Sequence, residues 1–160
     1  MFYINLEIQD IKISSIEKED LEKVYQWLSC EDSFIEYRQF YERFLEYYLS
    51  ECEFFLKINK NSNLIGIIKG KVEFKNPNEV WLSYFILESR MRNQGIGSEI
   101  LNGIINYFFK DCGIVKFYVK VKENNFKSLV FLRKNNFSPI KLSQGIGDKN
   151  VILISSINRI

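Results

Sequence analysis

Hydrophobic and polar positions in the first third of the chain predict strand structure followed by two helices. Residues 2–8 and 11–13 are rich in β-branched and aromatic side chains, which favour strands. Ser15 follows them and is a residue type that caps helices. Apolar residues then recur at the three- and four-residue steps of a first helix, at Leu21, Val24, Trp27 and Leu28. A second helix is predicted over residues 33–49, with acids on one side and apolar residues on the other, namely Phe40, Phe44, Leu45, Tyr48 and Leu49.

The middle of the chain predicts an antiparallel meander of three strands. Residues 54–58 and 64–74 are apolar segments on either side of a polar cluster at 59–63, which suits a hairpin turn. A second turn is expected at residues 75–78, because Asn-Pro-Asn is typical of turns. Residues 79–87 are mostly apolar and predict a third, buried strand.

The last part of the chain alternates helices and strands. The predicted elements are a helix at 97–110, a strand at 115–121, a short helix at 127–134 and two closing strands at 139–142 and 151–157. A strand, a helix and a strand in succession predict a parallel strand pair. No repeat or linker interrupts the sequence, so we expect one domain over residues 1–160. Its class is α+β, with a central mixed, mostly antiparallel twisted sheet and helices on both faces.

The composition excludes several kinds of catalytic site. The chain contains no His, which rules out Ser-His-Asp triads, Cys-His dyads and His-ligated metal sites. Its three cysteines lack C-x-x-C spacing, so we expect no metal and no disulfide framework. Neither a basic, apolar leader nor a run near the roughly 18 residues of a membrane span is present. We therefore expect a cytoplasmic protein without a membrane partner and, with its aromatic residues assigned to the core, without a nucleic-acid partner.

The charges are unevenly distributed along the chain. Residues 17–53 contain eleven acidic and four basic residues, a net charge of −7, although the whole chain carries +2. The remainder therefore carries +9. This asymmetry has two interpretations: solvated helix faces, or a chain that meets an anionic ligand with one part and a cationic ligand with another.

A basic, glycine-containing loop connects the predicted strand at 79–87 to the next helix. Glycines at such a junction let the backbone approach a ligand, and the first N–H groups of the helix have no internal acceptor and carry partial positive charge. This combination binds phosphate. The residues of the loop are Arg92, Asn93, Gln94, Gly95, Ile96, Gly97 and Ser98.

The tetrapeptide Gln-Gly-Ile-Gly of this loop occurs a second time, at residues 144–147. No helix is predicted after the second copy and Leu142 stands where the Arg would be, so this copy predicts a hairpin turn. The first copy is neither a dinucleotide-binding fingerprint nor a P-loop, because Gly-x-Gly-x-x-Gly and Gly-Lys-Ser/Thr are both absent. The loop at 92–98 must therefore serve another phosphate ligand.

Two motifs in the right order give the chain a resemblance to the GNAT superfamily of acyl-CoA-dependent N-acetyltransferases, over almost its whole length. Residues 92–97 fit the Arg/Gln-x-x-Gly-x-Gly/Ala loop with which that family cradles the pyrophosphate of acetyl-CoA. Asn125 and Ser128, followed by Asn136 and Phe137, resemble the family's Asn-x-x-Ala/Ser and terminal Gly-Phe. The resemblance implies a GNAT-like fold, acetyl-CoA as cosubstrate and direct transfer of its acetyl group to a primary amine.

The same resemblance implies which residues bind the cofactor. The family's fourth strand has a bulge whose backbone N–H faces the acetyl oxygen, expected here near residues 85–87. Together with the loop at 92–98, the implied cofactor-binding residues are Phe85, Ile86, Leu87, Asn125, Ser128 and Phe131. Asn136 replaces the usual Gly, and this change is tolerated because Asn can adopt the left-handed conformation. The frequent Tyr that protonates the departing thiolate is replaced by Leu132.

An amine nucleophile with a pKa of about 10.4 arrives charged and needs a carboxylate or a water relay to take its proton. The candidate catalytic carboxylates are Glu79, which opens a predicted strand, and Glu36, which lies between the first two helices. The resemblance places the acceptor near that inter-helix region, where Glu31, Asp32 and Tyr37 are candidate substrate-binding residues. The acidic segment suits a cationic acceptor, either a small-molecule amine or a peptide amino terminus.

Two alternatives stay open from the sequence. The first is a non-catalytic GNAT-fold sensor or interaction module that binds acyl-CoA without transferring it, which Leu132 favours because it supplies no acid. The second is an unrelated nucleotide-binding module, which requires the motif at residues 125–137 to be a coincidence. The residues themselves do not indicate an oligomeric state, but the resemblance suggests a homodimer, since many members of the family pair through sheet edges.

Overall fold

The computed structural model describes residues 2–30, 36–144 and 149–157, except the side chains of residues 141–144. Within them, eight strands form one sheet in the order β1-β2-β3-β4-β5-β6-β8-β7. The strands are β1 (Asn5–Ile8), β2 (Ile11–Ser15), β3 (Glu53–Lys60), β4 (Asn63–Glu73), β5 (Glu79–Leu87), β6 (Lys116–Lys122), β7 (Ser138–Gln144) and β8 (Lys149–Ser156). The helices are α1 (Leu21–Cys30), α2 (Tyr37–Leu49), α3 (Ile96–Cys112) and α4 (Phe126–Lys134). The predicted α+β class and mixed, mostly antiparallel sheet are confirmed.

The chain forms two compact units. The first unit consists of Met1–Gly70 and Tyr84–Gln94, and the second unit consists of Lys71–Ser83 and Gly95–Ile160. Strands β4 and β5 therefore contribute residues to both units.

In the first unit, the predicted turn between residues 59 and 63 is confirmed, and a second turn joins β1 to β2. β1 and β2 pair antiparallel and are joined by a turn at Gln9, which has a φ of 54°. Asn61 and Ser62 join β3 to β4 with φ values of 49° and 65°, which polar turn residues tolerate. The connection from β2 to β3 contains α1 and α2, whose buried sides form a hydrophobic cluster with the strands. Its members include Leu21, Val24, Leu28, Phe40, Phe44, Tyr47, Phe55 and Ile67.

The expected helix cap at Ser15 is wrong. Ser15 is the last residue of β2, and its buried Oγ accepts a hydrogen bond from the backbone N–H of Ile4 at 3.0 Å. Glu17 instead precedes the 3₁₀ turn Lys18–Asp20 that leads into α1. Glu17 and Asp20 each accept a hydrogen bond from the other's backbone N–H, which forms a capping box. The hydroxyl of Ser15 therefore serves the sheet and not the helix.

Helix α2 begins at Tyr37, and the first predicted residues of this helix, 33–35, lie outside the described residues. Its buried side contains Phe40 and Phe44, as predicted, together with Tyr47. The predicted apolar positions Leu45, Tyr48 and Leu49 are exposed. The buried side predicted from hydrophobicity alone is too wide, because α2 has more apolar residues than the core of the first unit buries.

In the second unit, α3 and α4 connect strands of one sheet. β5 and β6 pair in parallel, with Glu79 opposite Lys116, which confirms the predicted parallel pair. α3 ends at Gly113, whose φ is 65°, a left-handed conformation that glycine adopts without strain. α4 begins after Asn125, whose side chain accepts a hydrogen bond from the N–H of Ser128 at 3.2 Å. None of the helices in the described residues is long and apolar enough to cross a membrane.

The end of α4 confirms that Asn136 adopts the left-handed conformation, with a φ of 65°. Its N–H donates to the carbonyl of Arg133 at 3.2 Å, and the N–H of Phe137 donates to the carbonyl of Leu132 at 3.0 Å. These two hydrogen bonds form a Schellman motif, in which Gly is the usual left-handed residue. Asn therefore replaces Gly here without changing how the helix ends.

Strand β5 has the predicted bounds but a different burial pattern. It buries Val80, Leu82 and Leu87, whereas Ser83 and Tyr84 are exposed, so the expectation of a mostly buried strand is wrong. The second Gln-Gly-Ile-Gly copy lies between the antiparallel strands β7 and β8 and not before a helix, as predicted. Its residues 145–147 lie outside the described residues.

Tyr47 allows a test of the first unit's core. It is fully buried, and its hydroxyl donates to the carbonyl of Phe55 at 3.1 Å. Burial raises the pKa of Tyr47 to about 12 from 10.0. Its contribution to folding is therefore complete below about pH 10 and is lost as the pH rises to about 12. We expect Tyr47→Phe to lower the free energy of unfolding by about 1 kcal/mol at neutral pH and to reduce the loss between about pH 10 and 12.

Urea denaturation of both proteins across this pH range measures the effect. Tyr48→Phe is the control, because Tyr48 lies on the same helix and is 47% exposed. We expect this control to change the free energy of unfolding by less than about 0.5 kcal/mol. An equal loss in both variants would contradict the role of the buried hydroxyl.

Candidate functional site

The loop between β5 and α3 has the backbone conformation that its glycines predict. Asn93 and Gly95 have left-handed φ values of 60° and 83°. The Nε of Arg92 donates to the carbonyl of Leu87 at 2.7 Å, and the side-chain amide of Gln94 donates to the carbonyl of Arg90 at 2.6 Å. Both side chains therefore anchor the first half of the loop to the end of β5 and the turn after it.

The second half of the loop is the N-terminus of α3. The N–H of Glu99 donates to the carbonyl of Gly95 at 3.0 Å, which is the first hydrogen bond of the helix. The N–H groups of Ile96, Gly97 and Ser98 precede it and have no acceptor within the helix. They lie at the positive end of a 17-residue helix. Apart from Gly95 itself, its chain neighbours and the adjoining helix backbone, no atom of the described residues comes within 4 Å of the point where a Cβ on Gly95 would lie. Open space thus faces a left-handed glycine at a helix N-terminus, which fits a phosphate group.

The end of β5 lies unusually close to β4. A Cβ on Gly66 would lie 2.5 Å from the carbonyl oxygen of Ile86 and 2.7 Å from the side chain of Leu87. Only glycine fits there, and the N–H of Glu88 donates to the carbonyl of Ile65 at 2.8 Å just beyond. Gly66 therefore determines the backbone position of the residues predicted to face an acetyl oxygen. Sequence reasoning missed Gly66, although a lone glycine inside a strand is a known signal of close backbone approach.

In the second unit, α4 positions three predicted cofactor-binding residues. The side chain of Asn125 accepts the hydrogen bond that caps the helix. Ser128 and Phe131, three residues apart, lie on the same side of α4 and are half-buried. Leu132 is 5% exposed and belongs to the core. The position predicted to lack an acid is thus occupied by a buried apolar side chain.

Glu79 is held by two neighbours in the second unit. The Glu79 side chain is 14% exposed. Its carboxylate lies 3.3 Å from the Nζ of Lys75, and the hydroxyl of Tyr118 donates to it at 3.4 Å. Tyr118 also stacks on Trp81, with ring centroids 4.7 Å apart. Burial and the charge of Glu79 raise the pKa of Tyr118, and hydrogen bonds to Glu73 and Glu79 raise the pKa of Lys75. Sequence reasoning missed Tyr118, because only the parallel register brings it beside Glu79.

Glu36 has a different environment in the first unit. It is the exposed residue before α2, and its side chain makes no capping hydrogen bond. Tyr37 follows it, 46% exposed, and packs edge-on against Tyr25 with ring centroids 5.0 Å apart. Phe40 is within 5.6 Å of Tyr25 and 6.4 Å of Tyr37, which completes a cluster of three aromatic rings. The candidates Glu31 and Asp32 lie outside the described residues.

Comparison with known proteins identifies the family. A family model described as an acetyltransferase (GNAT) domain matches residues 13–154. The chain belongs to the GNAT acetyltransferase family. No curated protein sequence matches this GNAT chain, but solved structures do. A RimL ribosomal L7/L12 α-N-protein acetyltransferase has a TM-score of 0.85 at 13% identity, with 97% of this chain and 95% of that chain covered. A mutant of the SpeG spermidine N-acetyltransferase from Vibrio cholerae has a TM-score of 0.77 at 13% identity, with 93% and 95% covered.

Membership of the GNAT family identifies the chain as an acetyl-CoA-dependent N-acetyltransferase. Acetyl-CoA is therefore the cosubstrate, and the open space at Gly95 fits its phosphates. Among the described residues, no group of three or more Cys, Asp or Glu side chains is arranged to hold a metal ion.

The GNAT loop predicts a contrast between two left-handed glycines at opposite ends of α3. Gly95→Ala and Gly113→Ala both force a Cβ into a left-handed conformation, so each should cost about 1 kcal/mol of stability. Only the Cβ at residue 95 occupies the space at the helix N-terminus. We expect Gly95→Ala to weaken CoA binding by about tenfold and Gly113→Ala to leave it within about twofold. Isothermal titration of CoA and thermal melts measure both effects, and equal weakening in the two variants would contradict a site at Gly95.

Proposed function

We propose that the protein transfers the acetyl group of acetyl-CoA to a primary amine of a cationic acceptor by direct attack, with residues 1–160 acting as one N-acetyltransferase-like domain. The cationic acceptor rests on one observation: Glu36 is exposed and directly precedes Tyr37, whose half-exposed ring packs against Tyr25. Two similar structures are of enzymes named for amines: a spermidine N-acetyltransferase, and an acetyl transferase from Salmonella typhimurium that modifies the N-terminal serine of a ribosomal protein. A polyamine or a peptide amino terminus is accordingly the proposed acceptor class.

Both electrostatics and ring contacts support a cation at this end of α2. Residues 17–53 carry a net charge of −7, which attracts a cation toward the first unit. Aromatic faces add cation–π attraction of about 0.5–1 kcal/mol at an exposed site. Glu36 and Tyr37 are consecutive and both exposed, and the proposal is that one bound ammonium group contacts both side chains.

The proposed cofactor-binding residues of the loop are Arg92, Asn93 and Gln94 in the first unit and Gly95, Ile96, Gly97 and Ser98 in the second unit. Phe85, Ile86 and Leu87 are proposed to line the acetyl group, and Asn125, Ser128 and Phe131 the pantetheine arm. An acetyl oxygen that develops negative charge needs hydrogen-bond donors already in place. β5 packs closely against Gly66, and this contact is proposed to hold the backbone of Ile86 in place.

The proposed reaction removes one proton before attack and one afterwards. A carboxylate or a water relay takes the first proton from the ammonium group, and the neutral nitrogen then forms a bond to the thioester carbonyl carbon. The C–S bond breaks, CoA leaves as a thiolate, and the nitrogen releases its second proton as the amide forms. A thiolate with a conjugate-acid pKa of about 8.5 leaves without full protonation, so buried Leu132 does not prevent the reaction.

Glu36 is the favoured carboxylate for the first proton, because its surroundings leave its side chain accessible. Both oxygens of Glu79 already have partners, Lys75 for one and Tyr118 for the other. Moving Glu79 to serve a substrate would break both contacts. Glu79 is therefore proposed as the second candidate for the carboxylate that takes the first proton.

Glu36→Gln should lower kcat/KM by about 10² at neutral pH. The loss should shrink as the pH rises toward the amine pKa of about 10.4, since neutral amine then forms without a base. Glu46→Gln is the matched control, because it removes the same charge from an exposed position on the same helix. A pH–rate series on both variants measures the effect. If Glu79→Gln shows the pH-dependent loss instead, Glu79 is the base.

The buried Leu132 favours one competing function, a sensor that binds acyl-CoA without transferring it. A panel of acceptors separates the two: spermidine, a peptide with a free N-terminal serine, and the same peptide with an acetylated amino terminus. Transfer predicts CoA release with one or both free amines and none with the capped peptide. Binding of acetyl-CoA, seen as a raised Tm, without CoA release from any amine would support the sensor.

A further inference from the structure

One side of α2 in the first unit carries a row of large apolar side chains that the core does not bury. Each lies three or four residues from another, so the row follows one side of the helix, and its members are Tyr37, Tyr41, Leu45, Tyr48 and Leu49. We call these five residues the α2 stripe. Tyr41 is half-buried and the other four are exposed, Leu49 by 79%. Single exposed apolar residues are ordinary on a protein surface, but a continuous row indicates a surface that a partner covers.

The α2 stripe is distinct from the buried side of the same helix. Phe40, Phe44 and Tyr47 form that buried side and belong to the hydrophobic cluster of the first unit. Within the described part of the chain, Leu45 and Leu49 do not belong to this cluster. Folding therefore gains little from their apolar side chains, and polar residues should be tolerated at both positions.

The α2 stripe begins at the proposed acceptor site. Tyr37 is the first residue of the stripe and also the ring that follows Glu36, where the acceptor ammonium group is proposed to bind. An α-helix rises 1.5 Å per residue, so the stripe extends about 18 Å from that point. An extended peptide covers this length with about six residues. A ligand held by its amine at Glu36 can therefore continue along α2.

The chemistry of the α2 stripe favours a peptide over a polyamine. Tyrosine rings attract ammonium groups, but Leu45 and Leu49 gain only from contact with apolar groups. A polyamine has charged nitrogens along its whole length, and placing them against leucine costs part of their hydration. An extended peptide can instead present apolar side chains on one face and basic side chains on the other. The net charge of −7 over residues 17–53 favours the basic ones.

We propose that the α2 stripe is a docking surface for the first residues of a protein substrate, whose free amino terminus binds at Glu36 and Tyr37 and whose following residues are apolar and basic. This inference rests on the function proposed above, since the docked amino terminus is the acceptor of that reaction. A small amine reaches Glu36 without touching Leu45 or Leu49. A peptide gains affinity from both leucines, so the stripe selects the protein substrate.

Steady-state kinetics with a long and a short acceptor test the docking surface. The long acceptor is a peptide of about eight residues that begins with serine and then alternates leucine and lysine, and the short acceptor is serine amide. We expect the double variant Leu45→Ser/Leu49→Ser to raise KM for the peptide by about tenfold with kcat unchanged. Its kcat/KM for serine amide should stay within about twofold of the parent value.

Gln39→Ser is the matched control, because Gln39 is exposed on the opposite side of α2, and it should alter neither acceptor's kinetics. Thermal melts check that each variant folds. Leu49→Ser alone removes the more exposed leucine and should raise KM for the peptide by about threefold. An equal loss with the peptide and serine amide, or no loss with either, would overturn the docking surface.

Peptide binding measured without acetyl transfer separates this inference from the proposed reaction. The same peptide, labelled at its carboxyl end, is titrated with the CoA-saturated protein while its fluorescence anisotropy is recorded. Weaker binding to the double variant, without acetylation of either acceptor by the parent protein, would support the docking surface and contradict the proposed acceptor. Acetylation of serine amide with equal peptide binding by the parent and the double variant would do the reverse. If sedimentation velocity shows a dimer that only the double variant loses, a second copy covers the α2 stripe and the proposal is overturned.

Discussion

The proposed anion site depends on the left-handed backbone at Gly95. A φ of 83° there lets the chain leave the turn after β5 and start a 17-residue helix at the next residue. Any other residue type would strain that conformation and would place a Cβ in the open space in front of the helix N-terminus. Arg92 and Gln94 hold the preceding residues in place through main-chain carbonyls. One torsion angle thus places a chain reversal, a positive helix end and ligand space together.

The proposed choice of a general base depends on which carboxylates already have partners. Glu79 and Glu36 are the same residue type, but a Lys and a Tyr hold Glu79, whereas Glu36 lies exposed before α2. Removing a proton from a cationic amine requires a carboxylate that the amine can reach, and the tertiary contacts make this distinction. The aromatic cluster beside Glu36 adds a surface that favours cations. The two proposed binding functions, for an anionic cofactor and a cationic acceptor, therefore rest on parts of the chain with opposite net charge.

Sequence periodicity predicted the described α-helices and long strands. Burial of one side of an element leaves a pattern of apolar residues within that element alone, so the pattern can be read from the sequence. It was wrong where a side chain had a choice of partners. Ser15 is a residue type that can cap a helix, but its hydroxyl accepts a hydrogen bond from the N–H of Ile4 instead. In α2, hydrophobicity predicted that Leu45, Tyr48 and Leu49 are buried, but these residues are exposed. Tyr47 is buried instead, and its hydroxyl donates to the carbonyl of Phe55. Periodicity predicts whether a residue prefers to be buried, but it does not predict which residues it contacts in the folded chain.

The sequence by itself determined the class of fold, the loop at 92–98 and the family, because these rest on local patterns and on motifs whose order along the chain is sufficient. Only the tertiary structure decided that Gly66 brings β4 against Ile86, that Tyr118 and Lys75 hold Glu79, and that Leu45 and Leu49 stay exposed. The physical reason is the same in each case. Contacts between residues distant in sequence depend on strand register and helix packing, and these are properties of the whole folded chain that no short segment encodes.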